Sequence, residues 1–385
     1  MKVVFLSTFA FDANVSLING LKDKCDIYFF TEALFKVNYI DKDKLTKFIS
    51  KGDEVDEINR FKNLIPFDKT YIIKGTRQLN FIKKIYNSYR IDKIIDDINP
   101  DIVVLDSYLL TYFFTAFKRR KNSLLIVHDP FFHSGEKFLI DILLRKFYFS
   151  FLDNKLILNE NQKEEFIEYY KEDPSKIFSS FLSLYEYLTY YKKSKIKKNE
   201  NFNILFFGRI SPYKGIKFLL DAVVDIIENH KDINITLTVA GSGSYDFDIS
   251  PYYKYSQIEI INKFTTQEEL AELISQSSVV VCPYLDATQS GVVMSSFAFK
   301  KPVIATNVGG LPEMVKDGET GIIVEPKDSE AIKGAILKLY QTPEILSKMS
   351  ENIEKEYFRG EKSWDKSAEL FMTAFETMLK TNNKK

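Results

Sequence analysis

The sequence predicts a parallel α/β protein in two halves, and three observations carry that expectation. The chain has 385 residues, which at roughly 100–200 residues per domain implies two domains. Short β-rich apolar runs alternate with helical patterns in both halves, the pattern of strands joined by crossover helices. Hydrophobic residues make up 45% and charged residues 28%, the composition of a globular chain with sizeable cores.

In the first half the strands are expected at Lys2–Ser7, Asp26–Phe30, Ile102–Leu105, Leu124–Val127 and Leu156–Leu158. Asn99-Pro100-Asp101 marks the start of the third. Residues 41–100, rich in Lys, Asp, Ile and Asn, are expected to form helices with long polar faces. After Lys2 the apolar stretch Val3–Ala10 is short, holds Ser7 and Thr8, and is followed by no small-residue cleavage site. It reads as a strand and not as a signal peptide.

In the second half the strands are expected at Asn203–Phe207, Ile235–Ala240, Ile258–Ile261, Val279–Cys282, Val303–Ala305 and Gly321–Val324. Helical patterns follow most of them. In Ile216–Ile227, for example, Leu219, Leu220, Val223, Ile226 and Ile227 recur at three- to four-residue spacing. Between the halves, Tyr190–Glu200 carries Lys192, Lys193, Lys195, Lys197 and Lys198 and reads as a solvated linker. The expected division is therefore 1–185, a linker at 186–200, 201–362, and a final segment 363–385.

Charge and cysteine content exclude several classes. Lys and Arg number 53, as do Asp and Glu, so no nucleic-acid footprint is present. Residues 1–150 hold 24 basic against 19 acidic residues, which favours an anionic partner for that half. Cys25 and Cys282 are the only cysteines and suggest neither a metal nor a disulfide framework; cytoplasmic residence fits best. No run of 18 uncharged apolar residues occurs, so no transmembrane helix is expected.

The second half carries the chemistry. Strand 203–207 runs into Gly208-Arg209-Ile-Ser-Pro-Tyr-Lys214-Gly215. Ligands of open α/β sheets bind beyond the carboxyl ends of the strands, so Arg209 and Lys214 can converge on one diphosphate, Arg as a planar fork and Lys as a point charge. As plain surface cations they would sit at a helix start, where cations are disfavoured. Val239-Ala-Gly241-Ser242-Gly243 is a second strand-to-glycine turn, either a close approach to ligand or a plain turn. Cys282-Pro-Tyr-Leu-Asp286-Ala-Thr288-Gln289-Ser290-Gly291-Val292 leads into an apolar helix expected at Val292–Phe299, capped by Thr288 or Ser290. Its first amides form an anion site. Asp286 at the rim either meets sugar hydroxyls or stabilises a turn. A glycine turn at Gly309-Gly310, then Glu313 and Gly321, completes the series.

Together, FFGRISPYKG, VAGSGS, PYLDATQSGV, KPVIATNVGGLPEMV and GETGIIV resemble the donor domain of retaining glycosyltransferases of family-four type. The resemblance covers roughly residues 202–330 and is closest to the subgroup with an ATQSGV donor loop, found in bacterial surface-polysaccharide synthesis. It implies the GT-B fold: two Rossmann-like domains facing each other across a cleft, the first binding acceptor and the second the nucleotide-sugar donor, with a C-terminal helix crossing back to the first. Ser363-Trp364-Asp-Lys-Ser-Ala-Glu-Leu-Phe is similar to that helix, with Trp364 as a packing anchor.

The resemblance further implies roles. Arg209 and Lys214 bind the donor diphosphate and stabilise the leaving group. Gly208, Asp286, Gln289, Ser290, Gly291 and Val292 line the donor site, and the nucleobase lies near Asn262 and Phe264. In Val127-His128-Asp129-Pro130…His133-Ser-Gly-Glu136, His128 matches the family histidine beside the donor sugar. His133, Glu136 and Asp12 fall on the acceptor side, the last two as base candidates. Either histidine also fits a hydrogen-bonded turn position. Retention is implied, with the acceptor proton passing to the leaving phosphate.

Two departures stand out. The positions of the paired glutamates common among relatives fall at Ala287 and Ser295, with Asp286 one residue from the first. The amino-terminal loop Thr8–Asn14 lacks the family's paired glycines.

The expected co-substrate is a UDP- or GDP-linked sugar, and the acceptor a glycan or lipid-linked glycan. No metal is expected, because two side-chain cations neutralise the departing diphosphate. Asp41-Lys-Asp43 and Asp246-Phe-Asp248 look like metal-binding strings but lack the fold context. Lys137–Leu152, with its stripe Lys137, Asp141 and Arg145, and the basic cluster Lys118–Lys121 offer two readings. One is a peripheral dock on the anionic inner face of the plasma membrane; the other is a domain helix with one wet edge. Rival functions are a nucleotide-sugar epimerase of the same fold and a non-catalytic partner of an active transferase. A nicotinamide dehydrogenase would need the dinucleotide fingerprint that no strand here precedes.

Overall fold

The computed structural model describes residues 1–7, 11–33, 40, 42–75, 81–131, 139–192, 201–287 and 289–382, and for residues 12, 13, 81 and 139–141 the backbone alone. The chain forms two compact units, Met1–Ser183 with Trp364–Lys385, and Leu184–Ser363.

The first unit contains β1 (Lys2–Ser7), α1 (Phe11–Leu21), β2 (Asp26–Ala33), β3 (Ile49–Lys51), β4 (Thr70–Lys74), α2 (Phe81–Ile98), β5 (Ile102–Leu105), α3 (Phe113–Lys118), β6 (Ser123–Val127), α4 (Leu139–Phe151), β7 (Asn154–Ile157), α5 (Lys163–Tyr170) and β8 (Ile177–Ser179). Its sheet has the order β3-β4-β2-β1-β5-β6-β7-β8. All pairs are parallel except β3 with β4. The central strands are continuous apolar runs, such as Ile-Val-Val-Leu in β5, all buried; parallel strands covered on both faces require that. Ile91 and Ile95 of α2, Ala116 of α3, Tyr148 of α4 and Leu152 just after it pack with Val4, Val103 and Leu125 in one apolar cluster.

The second unit contains β9 (Phe202–Phe207), α6 (Ile216–Asn229), β10 (Ile235–Gly241), β11 (Ile258–Asn262), α7 (Gln267–Gln276), β12 (Val279–Cys282), α8 (Gly291–Ala298), β13 (Val303–Thr306), α9 (Leu311–Met314), β14 (Gly321–Val324), α10 (Ser329–Gln341) and α11 (Pro343–Ile353). Its sheet is parallel throughout, in the order β11-β10-β9-β12-β13-β14. Counted within the unit this is 3-2-1-4-5-6, the doubly wound order of dinucleotide-binding folds. The order reverses between β9 and β12, so the loops leaving those two strands flank the crevice where such sheets bind ligands. Local signals start the helices: Thr266 and Glu269 form a capping box on α7, and Asp328 caps α10 through the Ala331 amide at 2.8 Å. A last helix, α12 (Trp364–Asn382), belongs with the first unit. Its start packs on α1, where a Cβ at Gly20 would lie 3.0 Å from the Trp364 carbonyl.

Three expectations are corrected. Residues 42–75 hold two short strands and several 3-10 turns in place of polar helices; Thr70–Lys74 pairs with β2 because Ile72 and Ile73 are buried on the sheet. The expected linker at 186–200 begins as a 3-10 helix, Glu186–Tyr191, with Tyr187, Leu188 and Tyr191 buried in the second unit. Its aromatic content outweighs the lysines that follow it, which lie outside the described residues from 193 onward. Arg145, expected on an exposed stripe, is buried; its guanidinium donates to the Pro130 carbonyl and lies over the Phe149 ring. Lys137 and the Asp141 side chain lie outside the description. In the basic cluster, Lys118 and Arg119 pair with Asp92 and Asp96, and Arg120 with Asp153.

Candidate active site

The crevice of the second unit is built by two loops locked together. Gly208 ends β9 with φ +120°, and a Cβ there would lie 3.4 Å from Val292 of α8. The loop from β9 to α6 turns at Gly215, where φ is +61° and a Cβ would sit 2.0 Å from the Pro283 carbonyl oxygen. Glycine is needed there both for the left-handed backbone and for the close approach. The Leu285 amide donates to the Tyr213 carbonyl at 2.7 Å and ties the same loops from the other side.

Lys214 lies in the 3-10 turn Pro212–Lys214. Its ammonium rests over the Tyr284 ring, 3.5 Å from the centroid, and 4.9 Å from that of Tyr213. Among the described residues it has no carboxylate partner. Burial pushes its pKa down to about 8; the Cys282 thiol opposes that shift slightly and the Arg209 charge adds to it. Arg209 is exposed at the head of the same loop. Two cations with no adjacent carboxylate on Lys214 are costly unless an anion completes the group. Cys282 is fully buried, and burial raises its thiol to about 11, so it stays protonated.

Tyr284 was legible in the sequence only as one more aromatic after a strand, yet it connects the loop bearing Lys214 to the start of α8. It is fully buried, its hydroxyl accepts a hydrogen bond from Ser290 Oγ at 3.5 Å, and the Thr306 hydroxyl donates to its carbonyl at 2.6 Å. Ser290 is the N-cap residue of α8 but makes no side-chain cap bond, and its amide donates to Met314 Sδ at 3.3 Å. The alternative cap Thr288 lies outside the described residues. The helix begins at Gly291, one residue earlier than expected, because Gly291 continues the turn beneath the Tyr185 ring: a Cβ there would come 2.8 Å from Tyr185 Cε2. The first amides of an α-helix have no partner inside it, and with the helix dipole they present positive potential at Gly291 and Val292.

Asp286 is exposed and makes no ion pair or hydrogen bond among the described residues. Gln289 is half-buried beside it. Ala287 and Ser295 are both buried. The Ala287 carbonyl instead accepts from the Gly310 amide at 3.1 Å, and a Cβ at Gly309 would lie 1.5 Å from that same oxygen. The Asn262 side chain is already engaged, its amide group bonding both the N–H and C=O of Gly243 at 3.2 Å. That contact secures the β10 turn, whose Gly243 bridges to Ile210. Phe264 is 61% exposed at the end of β11.

In the first unit, His128 follows β6 and its Nε2–H donates to Asp106 Oδ1 at 2.7 Å. Asp106 follows β5 and is buried. Its other oxygen accepts from the Asn14 amide at 2.7 Å, which also donates to Ser7 Oγ at 2.8 Å. Burial disfavours the imidazolium, but the Asp106 charge and hydrogen bond outweigh it and raise the His128 pKa. Leu105-Asp106, a carboxylate directly after a buried strand, was the available signal for this residue. The backbone at Asp12 lies in α1 and its side chain is outside the description, as are His133 and Glu136 altogether. No group of three or more His, Cys, Asp or Glu able to hold a metal occurs among the described residues. Asp248 bonds the amide and hydroxyl of Ser250.

Comparison with known proteins places this geometry. Residues 201–342 match the family model described as glycosyl transferases group 1. An uncharacterised glycosyltransferase of Methanocaldococcus jannaschii is 25% identical over 319 residues, covering 80% of this chain and 84% of that protein. Among solved structures, Anabaena HepE in complex with UDP superposes with a TM-score of 0.60 at 15% identity, covering 100% of both chains. A UDP-N-acetylglucosamine 2-epimerase gives a TM-score of 0.61 at 16% identity, covering 100% of this chain and 96% of the other. No helix among the described residues is long and apolar enough to cross a membrane. The chain thus has the GT-B fold with two Rossmann-like units, and the stretch that carries the loops described above is similar to the glycosyl transferases group 1 family.

Proposed function

We propose that the protein transfers a sugar from a UDP- or GDP-linked donor to a glycan or lipid-linked glycan, with retention of anomeric configuration, in bacterial surface-polysaccharide synthesis. The observation that carries the reading is Lys214: a half-buried cation on an aromatic platform, next to Arg209 and without a carboxylate partner, at the switch point of a doubly wound sheet. The UDP of HepE supports a nucleotide donor by analogy.

In this reading Arg209 and Lys214 grip the diphosphate, and the Gly291 and Val292 amides meet its other face while Gly208 leaves room for it. Charge grows on the departing nucleotide as the glycosidic bond breaks, and three fixed sources of positive potential await it. Such preorganised donors contribute about 10²–10³ each to rate. No metal is assigned to the reaction. Asp286 and Gln289 serve the sugar hydroxyls, and the Phe264 ring offers a stacking face for the base. His128, oriented by Asp106, serves the donor sugar. The acceptor proton leaves on the departing phosphate, so no separate base is required.

The test is thermal stabilisation and hydrolysis with a panel of UDP- and GDP-sugars. A shift with one nucleotide class, lost in Lys214→Ala, supports the reading. Stabilisation by no nucleotide sugar overturns the donor site and leaves a non-catalytic partner. Epimerised sugar nucleotide in place of transfer would assign the epimerase chemistry.

A further inference from the structure

The first unit presents a band of exposed aromatic and aliphatic side chains on three helices. On α2, Ile82, Tyr86 and Tyr89 recur along one stripe and are 82%, 61% and 48% exposed. On α3, Phe117 is 59% exposed, and on α4, Leu143 and Phe147 are 65% and 40% exposed. The stripes form a continuous surface. Ring contacts run from Tyr89 to Phe114, from Phe114 to Phe113, from Phe113 to Phe117 and Phe147, and on to Phe151, with centroids 5.3–6.2 Å apart. The inner sides of the same helices fill the core, so the outer rings are surplus to folding. An exposed apolar surface of this extent on a folded unit marks an interaction site.

Charge indicates the partner. Residues 81–98, 113–122 and 139–151 hold ten Lys and Arg against four Asp; setting aside buried Arg145 and the pairs of Lys118, Arg119 and Arg120 with Asp92, Asp96 and Asp153 leaves six cations and two Asp. Arg90, Lys93, Lys121 and Lys146 are exposed around the band. Arg90 has no carboxylate partner among the described residues; its guanidinium lies 4.4 Å from the Phe48 ring centroid and 5.9 Å from that of Tyr86. It shares with Lys93, Lys47, Phe48 and Tyr89 a groove of about 490 Å³ at the edge of the band. Rings and aliphatic tips surrounded by cations, with a basic groove sized for a small anionic group, match the interface of a bilayer with anionic head groups.

We propose that this face, formed by α2, α3 and α4, docks on an anionic lipid bilayer. Ile82, Phe117 and Leu143 enter the head-group layer and Arg90 and Lys93 engage lipid phosphate. It shares α4 and the end of α3 with the Lys137–Leu152 and Lys118–Lys121 segments that the sequence suggested, but places the contact on α2 and the outer rings of α3 and α4 and not on the Lys137, Asp141 and Arg145 stripe; it stands independently of the donor site.

The experiment is flotation of the full chain with vesicles of phosphatidylcholine alone and with added phosphatidylglycerol. Wild type is expected to float with the anionic vesicles and at least tenfold less with the neutral ones. Raising salt to 0.5 M should release most of it. The triple variant Ile82→Ser, Phe117→Ser, Leu143→Ser should lose binding tenfold or more, and Arg90→Ala with Lys93→Ala several-fold. These positions are largely exposed, so the variants keep their fold, checked by an unchanged melting temperature. Absence of wild-type binding to anionic vesicles overturns the proposal. So does a wild-type dimer in light scattering that becomes monomeric in the triple variant, which would assign the face to a second copy of the chain. Loss of nucleotide-sugar binding with vesicle binding intact would sink the donor reading and leave this one standing.

Discussion

Nucleotide-sugar binding should be coupled to proton uptake through Lys214. Burial holds its pKa near 8 in the free protein, against about 10.4 for an unperturbed lysine. A diphosphate beside the ammonium favours the charged form and moves the group back toward or above that value. Binding between those limits therefore takes up a proton. At pH 7 about nine-tenths of the free protein carries the charge, and at pH 9 about one-tenth, so affinity should fall about tenfold per pH unit above 8, or about 1.4 kcal/mol each. The phosphates contribute nothing there, since their own titration lies near pH 6 or below, and the Cys282 thiol, raised to about 11, remains neutral. The fold itself responds in the opposite sense. Because the unfolded chain keeps this proton to higher pH, the charged lysine costs stability below pH 8, and that cost is relieved as pH rises toward 10.5. Titration calorimetry with UDP-glucose between pH 7 and 9.5, in two buffers of different ionisation enthalpy, measures the uptake directly. Lys214→Arg, which cannot lose its charge in this range, should bind with a flat pH profile. Wild-type affinity independent of pH, or an equal decline in the arginine variant, would refute the assignment of this lysine to the diphosphate.

Three further outcomes follow from the same geometry. Tyr284→Leu removes the ring under Lys214 and should lower kcat/KM about 30-fold, the equivalent of a desolvated cation–π contact of about 2 kcal/mol, whereas Tyr284→Phe should stay within a few-fold; equal losses in both would remove the platform role. Gly309→Ala should cost about 2 kcal/mol or more in urea unfolding, because its backbone is left-handed and the new methyl meets the Ala287 carbonyl, while Gly334→Ala, in open space within α10, should gain about 0.5–1 kcal/mol. Asp106→Asn should drop the His128 pKa below its ordinary value, as read by NMR titration. In wild type the His128–Asp106 contribution is complete below about pH 6.5 and is lost as pH rises through the raised value, so the variant should show less loss of stability between pH 6 and 8.

Much of the fold was legible because buried parallel strands must be apolar on both faces. Ile102–Leu105 and Val279–Cys282 could be read directly for that reason, and Gly321–Val324 from its place after a turn. The strands that escaped, Ile49–Lys51, Thr70–Lys74 and Ile177–Ser179, lie toward the sheet edges and are short. Their periodicity is overwhelmed by the charged residues around them. In the donor loops the glycines and cations were visible, because φ > 0 and charge at a helix start are chemically unusual. Tyr284 and Asp106 were not singled out, since their importance lies in which residue they touch, 70 positions away in one case and 22 in the other. Asn262 was read as a base contact, and the fold spends its amide on Gly243. Spacing along the chain gives no sign of such a pairing.

The docking of α12 on α1 has a consequence for biosynthesis. The first unit is interrupted in the chain, whereas Leu184–Ser363 is continuous. A ribosome releases every strand of the first sheet early, yet the helix covering Gly20 emerges last. At roughly 5–20 residues per second, that delay is on the order of 10–35 s. Throughout it the α1 face stays uncovered, while the second unit is itself being made and is complete only as the interval ends. Chains released just before Trp364 should therefore contain a complete second unit beside an unfinished amino-terminal one, and the latter is where a chaperone would find its substrate.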